Sequence, residues 1–147
     1  MSERVSVLSG LETARQLIGQ GRPPGIGETL DFELISVADG AAVCGGTPGP
    51  HAYNPLGVVH GGYAATLLDT ACGFAVMSKL AGNQSYTTIE LKVSYHKAMK
   101  ASTGPVQASG RVITMGRKVA FAEASLTDGK GVIYASATSS LLILDAR

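Results

Sequence analysis

One aspartate stands out in this sequence because of its surroundings. Asp69 is the only charged side chain in the run GGYAATLLDTACGFAVMS, residues 61–78. Burying an isolated carboxylate costs several kcal/mol of folding free energy unless it is paired, hydrogen-bonded or protonated. Two interpretations of Asp69 alone stay open. It is either a structural residue that accepts hydrogen bonds from the backbone or from Thr66, or a carboxylate placed to take a proton from water.

A second group of residues precedes this apolar run. The segment from Asn54 through His60, Gly61 and Gly62 ends where the apolar stretch begins. If that stretch is a helix, its unpaired N–H groups and its dipole favour an anion at this end, and two glycines let a ligand approach the backbone. Such a terminus can hold a carbonyl oxygen that becomes an oxyanion. A double glycine is equally compatible with a tight turn or close packing, so both interpretations remain.

The spacing of these two groups predicts an oligomer. Asp69 follows Gly61 by eight positions, which is about 12 Å along a helix that rises 1.5 Å per residue. Reacting groups must converge to within roughly 3 to 3.5 Å of one centre. We therefore expect an obligate dimer with two symmetric sites, in which Gly61 of one protomer faces Asp69 of its partner.

The elements that position these residues follow from hydrophobic periodicity and turn signals. The pattern predicts an amphipathic leading helix over Ser9–Gln20 and a buried helix over Gly61–Ser78. Strands are predicted at Thr29–Val37, Ala41–Thr47, Ser85–Tyr95, Pro105–Thr114, Lys118–Thr127 and Val132–Leu144. This order indicates an α+β fold with one antiparallel sheet wrapped on one helix. We divide the chain into a leading helix and linker, residues 1–28, and a main domain, residues 29–147.

Composition excludes several classes of protein. The chain has 147 residues, 45% of them hydrophobic and 16% charged, with a formal net charge of +1, which does not favour a nucleic-acid partner. The only cysteines, Cys44 and Cys72, have no zinc-site spacing, and we interpret them as reduced thiols in a cytoplasmic protein. The N-terminus lacks the apolar core of a secretory signal. A membrane-spanning role for the apolar helix is disfavoured by the carboxylate at its middle.

The run NPLGVVHGGYAATLLD, followed by TTIELKVSYHKAM, resembles the hotdog thioesterases of the PaaI-like branch, in the 4-hydroxybenzoyl-CoA thioesterase superfamily. The resemblance extends over about Thr29 to Leu144. It implies a hotdog fold, in which an antiparallel sheet wraps a central helix, and hydrolysis of acyl-CoA thioesters with small acyl groups, aromatic ones included. Coenzyme A is then part of the substrate, and no metal or other cofactor is expected.

The resemblance also implies roles for individual residues. The backbone N–H of Gly61 polarises the thioester carbonyl, and Gly62 is its packing neighbour in the substrate-binding turn. Asp69 acts as general base or nucleophile, and the sequence leaves the choice between these two roles open. Asn54 helps to orient the substrate or water, and the hydroxyl of Thr88 assists.

Further assignments concern the last active-site residue, His60, and the binding of coenzyme A. His60 braces the loop or contacts the thioester. Because coenzyme A carries phosphates, cations should lie near the pocket mouth, and Arg117 and Lys118 in a turn between two strands are the first candidates, ahead of Lys97 and Lys100. These four side chains are equally compatible with solvated surface charges.

The same resemblance implies a homodimer in which Asp69 and Thr88 of one protomer face Gly61 of the other, often with two dimers packed into a homotetramer. Two other functions fit the fold: a hotdog hydroxyacyl dehydratase and an acyl-CoA sensor without catalytic activity. The pairing of Asp69 with the His60-Gly61-Gly62 turn favours the thioesterase, since fold alone does not determine function.

Overall fold

The structure is a computed structural model that describes residues 7–22 and 24–146. Its elements are, in chain order, α1 (Gly10–Leu17), α2 (Ile26–Leu30), β1 (Phe32–Ala38), β2 (Ala41–Gly46), a 3-10 turn (Pro50–Ala52), α3 (Gly61–Met77), β3 (Gln84–Tyr95), β4 (Val106–Met115), β5 (Val119–Asp128) and β6 (Ile133–Asp145). The buried helix and the last four strands begin and end within one residue of their predicted bounds. Their alternating and helical patterns were therefore sufficient to locate them.

The six strands form one antiparallel sheet in the order β1-β2-β4-β5-β6-β3. In this order β1 and β3 are the two edge strands. The sheet curves around α3, which contacts all six strands. The α+β fold predicted from the sequence, an antiparallel sheet wrapped on a central apolar helix, is confirmed.

The core lies between α3 and the concave face of the sheet. Leu67, Leu68 and Val76 of α3 are fully buried. The strands meet the helix with small side chains, which lets the backbones approach closely. At Gly110 of β4, a Cβ atom would lie 2.5 Å from the carbonyl oxygen of Ala71, so only glycine fits there. These contacts fix the depth and rotation of α3 relative to the sheet.

The segment before β1 differs from its prediction. Thr29 and Leu30 were predicted to begin a strand, but they belong to α2. The N–H and the hydroxyl of Thr29 both donate to the carbonyl oxygen of Gly25, which closes a helical turn. Asp31 ends α2 with a left-handed φ of 61°. The strand prediction was wrong here because a local turn overrode the β-propensity of the segment.

The leading helix is real but shorter than predicted. It ends at Leu17, whereas the pattern placed its end at Gln20. Ser9 and Glu12 form a capping box at its N-terminus. Gly10 donates its N–H to Leu80, and a Cβ atom on Gly10 would lie 1.9 Å from the Met77 carbonyl oxygen. The first turn of α1 is therefore packed directly against the end of α3.

Strand β3 contains a β-bulge next to the middle of α3. Thr88 pairs with Leu141 of β6 and Glu90 pairs with Ser140, which leaves Ile89 as the extra residue. Successive side chains of a strand point to opposite faces, so one extra residue shifts the alternation. Thr88 and Leu91 consequently both face α3, although they are three positions apart.

The predicted division at residues 28 and 29 falls inside α2. Residues 1–6 and 23 of the predicted leading segment, and residue 147 of the predicted main domain, lie outside the described residues. Among the residues that the structure describes, none of the helices has the length and hydrophobicity that a membrane span requires.

Candidate active site

Asp69 and Thr88 are brought together by α3 and β3. The Thr88 hydroxyl donates a hydrogen bond of 2.9 Å to Oδ1 of Asp69. Both side chains are half-buried. A hydrogen bond to an ionised carboxylate contributes about 1.5 to 3 kcal/mol, and it fixes the rotamer of the acid. The second carboxylate oxygen remains available to a ligand or to water, because Thr88 occupies Oδ1.

The N-terminus of α3 is capped by the histidine that precedes it. Nδ1 of His60 accepts the N–H of Gly62 at 2.7 Å, and the carbonyl oxygen of His60 accepts the N–H of Tyr63 at 3.0 Å. Within residues 7–22 and 24–146, no hydrogen-bond acceptor is recorded for the N–H of Gly61. His60 therefore braces the turn by accepting the N–H groups of Gly62 and Tyr63, while the N–H of Gly61 is left for a ligand.

The loop that leads to His60 is organised by Asn54. Its side-chain oxygen accepts N–H groups from Leu56 at 2.9 Å and from Val58 at 3.2 Å. Its backbone N–H also donates to the carbonyl oxygen of Val58. Asn54 thus folds this loop onto itself and sets the approach of the chain to His60. Its predicted contact with substrate or water stays a prediction, and the oxygen already has two partners inside the loop.

Tyr95, at the end of β3, was missed by the sequence analysis. Its hydroxyl donates to the carbonyl oxygen of Gly61 at 2.7 Å. A Cβ atom on Gly61 would lie 3.0 Å from the tyrosine ring and hydroxyl, so the side chain packs directly on the glycine. The sequence signal that could have indicated this contact was the alternation of side chains along β3. Tyr95 lies two residues after Val93, and both face the helix, whereas an unbulged strand would have turned Thr88 and Tyr95 to opposite faces.

The two halves of the predicted site lie apart within one chain. Gly61 and Asp69 are both part of the continuous helix α3, so about 12 Å separates them along its axis. Gly61 borders a cleft of about 340 Å³ together with Tyr95, Lys97 and other residues. Asp69 and Thr88 border a different cavity, also of about 340 Å³. The structure thus places Gly61 and Asp69 at separate openings, as the helical spacing predicts.

The cavity at Asp69 is partly aromatic. Phe74 of α3 and Tyr86 of β3 line it together with Asp69 and Thr88. Burial and, secondarily, the nearby Asp69 charge raise the pKa of the Tyr86 phenol, so the phenol stays protonated at neutral pH. Gly73 makes room for it, since a Cβ atom there would lie 2.5 Å from the Tyr86 hydroxyl.

Neither cysteine is placed for nucleophilic chemistry. Cys44 and Cys72 are free, buried thiols. Burial is the main cause that raises the pKa of both to about 12, with smaller contributions from Cys72 to Cys44 and from Asp69 to Cys72. Both thiols are therefore protonated at neutral pH, and the thiolate is the reactive form. In the described part of the chain, no group of three His, Cys, Asp or Glu side chains is arranged to hold a metal ion.

The candidate phosphate-binding cations lie in two places. Arg117 and Lys118 are exposed in the β4–β5 turn, and neither borders the cavity of Asp69 or the cleft of Gly61 in this chain. Lys97 does border the Gly61 cleft. With Lys100 and Lys130 it also lines an adjoining cavity of about 590 Å³. The lysines that follow β3 are thus closer to the helix N-terminus than the turn that was preferred from the sequence.

Comparison with protein families identifies the chain's relatives. A family model described as the thioesterase superfamily matches residues 56–135, which include α3 and β3 to β5. A protein of Halobacterium salinarum whose name describes an esterase is 45% identical over 74 residues. That alignment covers 48% of this chain and 46% of the relative, so the matched segment spans about half the length of the relative.

Solved structures share the whole architecture. The thioesterase HI1161 of Haemophilus influenzae superposes with a TM-score of 0.79 over 94% of this chain and 92% of its own, at 14% identity, which supports the fold alone. The conserved protein PA5202 of Pseudomonas aeruginosa is 28% identical, with a TM-score of 0.75 over 88% of this chain and 98% of its own. A hypothetical thioesterase protein of Streptococcus pneumoniae, solved with coenzyme A, is 25% identical, with a TM-score of 0.71 over 79% and 90%.

These matches agree with the geometry described above. The family model covers more than half of the chain, including the His60-Gly61-Gly62 turn, Asp69 and Thr88. The sequence-based identification of the chain as a member of the hotdog thioesterases is confirmed by the family match and by the fold. The chain belongs to the thioesterase superfamily and has a hotdog fold.

Proposed function

We propose that the protein is an acyl-CoA thioesterase of the PaaI-like branch. One observation carries the proposal. Helix α3 carries both Asp69, whose carboxylate accepts a hydrogen bond from Thr88, and Gly61, whose N–H has no acceptor among the described residues. Their spacing along the helix is one that two protomers can share. The Streptococcus pneumoniae protein solved with coenzyme A supports this class of ligand. Coenzyme A enters as part of the substrate, and the reaction requires no other cofactor.

The proposed chemistry uses the two groups on opposite sides of one thioester. The Gly61 N–H binds the carbonyl oxygen and stabilises the oxyanion as it forms. Asp69 takes a proton from water, the hydroxide adds to the carbonyl carbon, and collapse of the intermediate breaks the C–S bond. The leaving thiolate of coenzyme A then takes up a proton. In the alternative route, Asp69 attacks the carbon itself, thiolate leaves, and water hydrolyses the resulting anhydride. Both routes are compatible with the hydrogen bond from Thr88, because it occupies Oδ1 of Asp69 and leaves the other carboxylate oxygen to act on water or on the thioester.

The proposed site is complete only in a dimer. The helical separation of Gly61 and Asp69 exceeds the reach of one thioester carbonyl. Strand β3 supports an assembly of this kind, because it is a twelve-residue edge strand. Ile89 and Tyr95 on it are 56% and 57% exposed. Long edge strands that expose apolar side chains are usually paired or covered in natural proteins. We propose that β3 of a second copy pairs with it.

The register of that pairing follows from the two halves of the site. In an antiparallel β3–β3 pair with its two-fold axis near Leu91 and Lys92, Tyr95 of one protomer comes next to Thr88 of its partner. Within each protomer, Tyr95 is hydrogen-bonded to Gly61, and Thr88 is hydrogen-bonded to Asp69. Both halves would then converge on one substrate. The homotetramer implied by the family resemblance remains a second step of this proposal, and light scattering distinguishes it from a dimer of two 15.0 kDa chains.

The coenzyme A phosphates are proposed to lie toward the cations described above. Lys97 borders the Gly61 cleft of its own chain. Arg117 and Lys118 border neither opening of their own chain. They contact coenzyme A only if its outer part extends to the β4–β5 turn or if it is bound at a site of the partner protomer. We also propose a cytoplasmic location, which the buried free thiols Cys44 and Cys72 support.

The two alternative functions make different predictions for Asp69. An acyl-CoA sensor binds the ligand but releases no thiol, and a dehydratase forms an enoyl thioester from a hydroxyacyl thioester without cleaving the C–S bond. Thiol release therefore separates all three. No observation on this chain favours either alternative over the thioesterase.

The test is thiol release from acetyl-, hexanoyl-, octanoyl- and phenylacetyl-CoA by the wild type, Asp69→Asn and Asp39→Asn. Asp39 is an exposed aspartate paired with Lys79 in the β1–β2 turn, so it controls for loss of a charge away from the site. We expect release by the wild type and Asp39→Asn, and a loss on the order of 10²-fold or more in Asp69→Asn. Normal turnover by a folded Asp69→Asn would contradict the proposal, and saturable binding without release would favour the sensor.

A further inference from the structure

The cavity next to Asp69 and Thr88 has two walls of different origin. One wall comes from α3 and β3 and includes Phe74 and Tyr86. The opposite wall comes from the segment before the sheet, with Leu17 at the end of α1 and Ile26 at the start of α2. Phe32 at the start of β1 closes the space between them. The leading segment therefore does more than pack on the outside of the fold.

The leading segment is attached at both of its ends. At the first end, the N–H of Gly10 donates to the Leu80 carbonyl oxygen at 3.0 Å, and Ala14 is fully buried. At the second end, Arg22 forms an ion pair of 2.5 Å with Asp31, the residue that ends α2. Leu17 is thus positioned by the docking of α1 against the end of α3, and Ile26 lies between the two residues that the Arg22–Asp31 ion pair joins.

We propose that Leu17, Gly21, Pro24, Ile26 and Gly27 form a wall of the acyl-binding pocket and that this wall selects neutral, apolar acyl groups. The proposal rests on the function proposed above, because it assumes that the thioester carbonyl lies at Asp69. An acyl chain that extends from that carbonyl away from the Gly61 end enters the space between Phe74, Leu17 and Ile26. Its volume, about 340 Å³, is at the lower end of the range of roughly 300 to 1,000 Å³ typical of small-molecule sites.

The polarity of the lining argues for a neutral acyl group. The two carboxylates that border the cavity are Asp69 and Glu33, and no Lys, Arg or His is among the described residues that line it. A second carboxylate at the far end of an acyl chain would lose hydration and meet charges of its own sign. Dicarboxylic acyl groups are therefore selected against, whereas linear or aromatic hydrocarbon groups fit.

The first test varies the wall and the chain length together. Leu17→Trp fills part of the cavity, and Gln16→Trp places the same bulk on the exposed neighbouring position of α1. The measured quantity is the ratio of kcat/KM for octanoyl-CoA to that for acetyl-CoA. We expect Leu17→Trp to lower this ratio by about tenfold or more, since one methylene in an apolar pocket is worth roughly 10- to 200-fold in selectivity. We expect Gln16→Trp to leave the ratio at the wild-type value.

The second test varies charge. Pentanoyl-CoA and glutaryl-CoA have acyl groups of the same length and differ by a terminal carboxylate. We expect the wild type to prefer pentanoyl-CoA by at least about tenfold, and Glu33→Lys to reduce that preference several-fold. Glu28→Lys makes the same change of charge on an exposed residue of α2 that does not line the cavity, and it should keep the preference.

The outcomes separate this proposal from the one on which it rests. A wild type that releases no thiol from any substrate contradicts the thioesterase function itself. A wild type that hydrolyses the panel, with an unchanged length ratio in Leu17→Trp and an unchanged charge preference in Glu33→Lys, overturns only the acyl wall. If Leu17→Trp fails to fold by circular dichroism, Ile26→Trp tests the same wall from α2, where the side chain is 59% exposed and its replacement disturbs no core contact.

Discussion

Replacing Gly61 with proline removes one atom that the proposed mechanism requires and little else. Gly61 is the first residue of α3, the helical position at which proline is most readily accepted. His60 has φ −64° and ψ 136°, the extended conformation that a following proline favours. The Gly61 N–H has no recorded acceptor in the described part of the chain, so its loss breaks no hydrogen bond of the fold.

The expected effect is large for the reaction and small for stability. One oxyanion donor is worth about 3 kcal/mol, so kcat/KM for the best acyl-CoA should fall on the order of 10²-fold in Gly61→Pro. Gly61→Ala is the matched control, since its Cβ meets the ring of Tyr95 at the same 3.0 Å but its N–H remains. Thermal unfolding of both variants verifies that the helix start is preserved.

The two variants together isolate the donor. If Gly61→Pro and Gly61→Ala lose the same activity, the damage comes from the contact with Tyr95, and the oxyanion role of the Gly61 N–H is refuted.

The Gly61→Pro variant also tests, by subunit mixing, whether the site is shared between protomers. A heterodimer of Gly61→Pro with Asp69→Asn contains one intact site if the site is shared between protomers and none if it lies within one, so random mixing should restore about a quarter of wild-type activity only in the shared arrangement.

Three further predictions concern positions outside this pair. Tyr95→Phe removes the hydrogen bond to Gly61 but keeps the ring, and it should lower kcat by about tenfold with KM within a few-fold, measured by steady-state kinetics; an unchanged kcat would show that the bond is not needed. Gly10→Val should detach α1 from α3 and accelerate proteolysis of the leading segment, and protection equal to the wild type would contradict the close approach at Met77. Burial raises the pKa of Cys72 from an ordinary 9.0 to about 12, so the neutral thiol is favoured in the folded state; the free energy of unfolding should therefore fall as pH rises above about 9, less steeply in Cys72→Ala, as followed by urea denaturation.

Part of this molecule could be predicted from the sequence because it depends on local pattern. The apolar run with one carboxylate favoured a buried helix over a membrane span, and the alternation of the later strands predicted their bounds to within one residue. The eight-residue interval between Gly61 and Asp69 predicted two separate half-sites, and the structure places these residues at two different openings.

Other features depend on contacts between distant segments, which the local sequence pattern alone does not specify. Thr29 has the β-propensity of a strand residue but closes a turn onto Gly25. Tyr95 reads as a strand end, and its contact with Gly61 arises from the way β3 crosses the start of α3. The wall at Leu17 requires the docking of α1, which depends on the absence of a side chain at Gly10.

The bulge at Ile89 has a consequence for how this strand can change in evolution. Thr88 and Tyr95 are seven positions apart, an odd interval, yet both meet the same helix. Substitution of Ile89 by another apolar residue is expected to keep both contacts with α3, because its side chain is exposed in the single chain and the bulge is a feature of the backbone. Insertion or deletion of a single residue between Thr88 and Tyr95 is expected to be far more damaging, because it would turn one of the two away from α3. Relatives that keep both contacts should therefore vary in this interval by replacement and not by length.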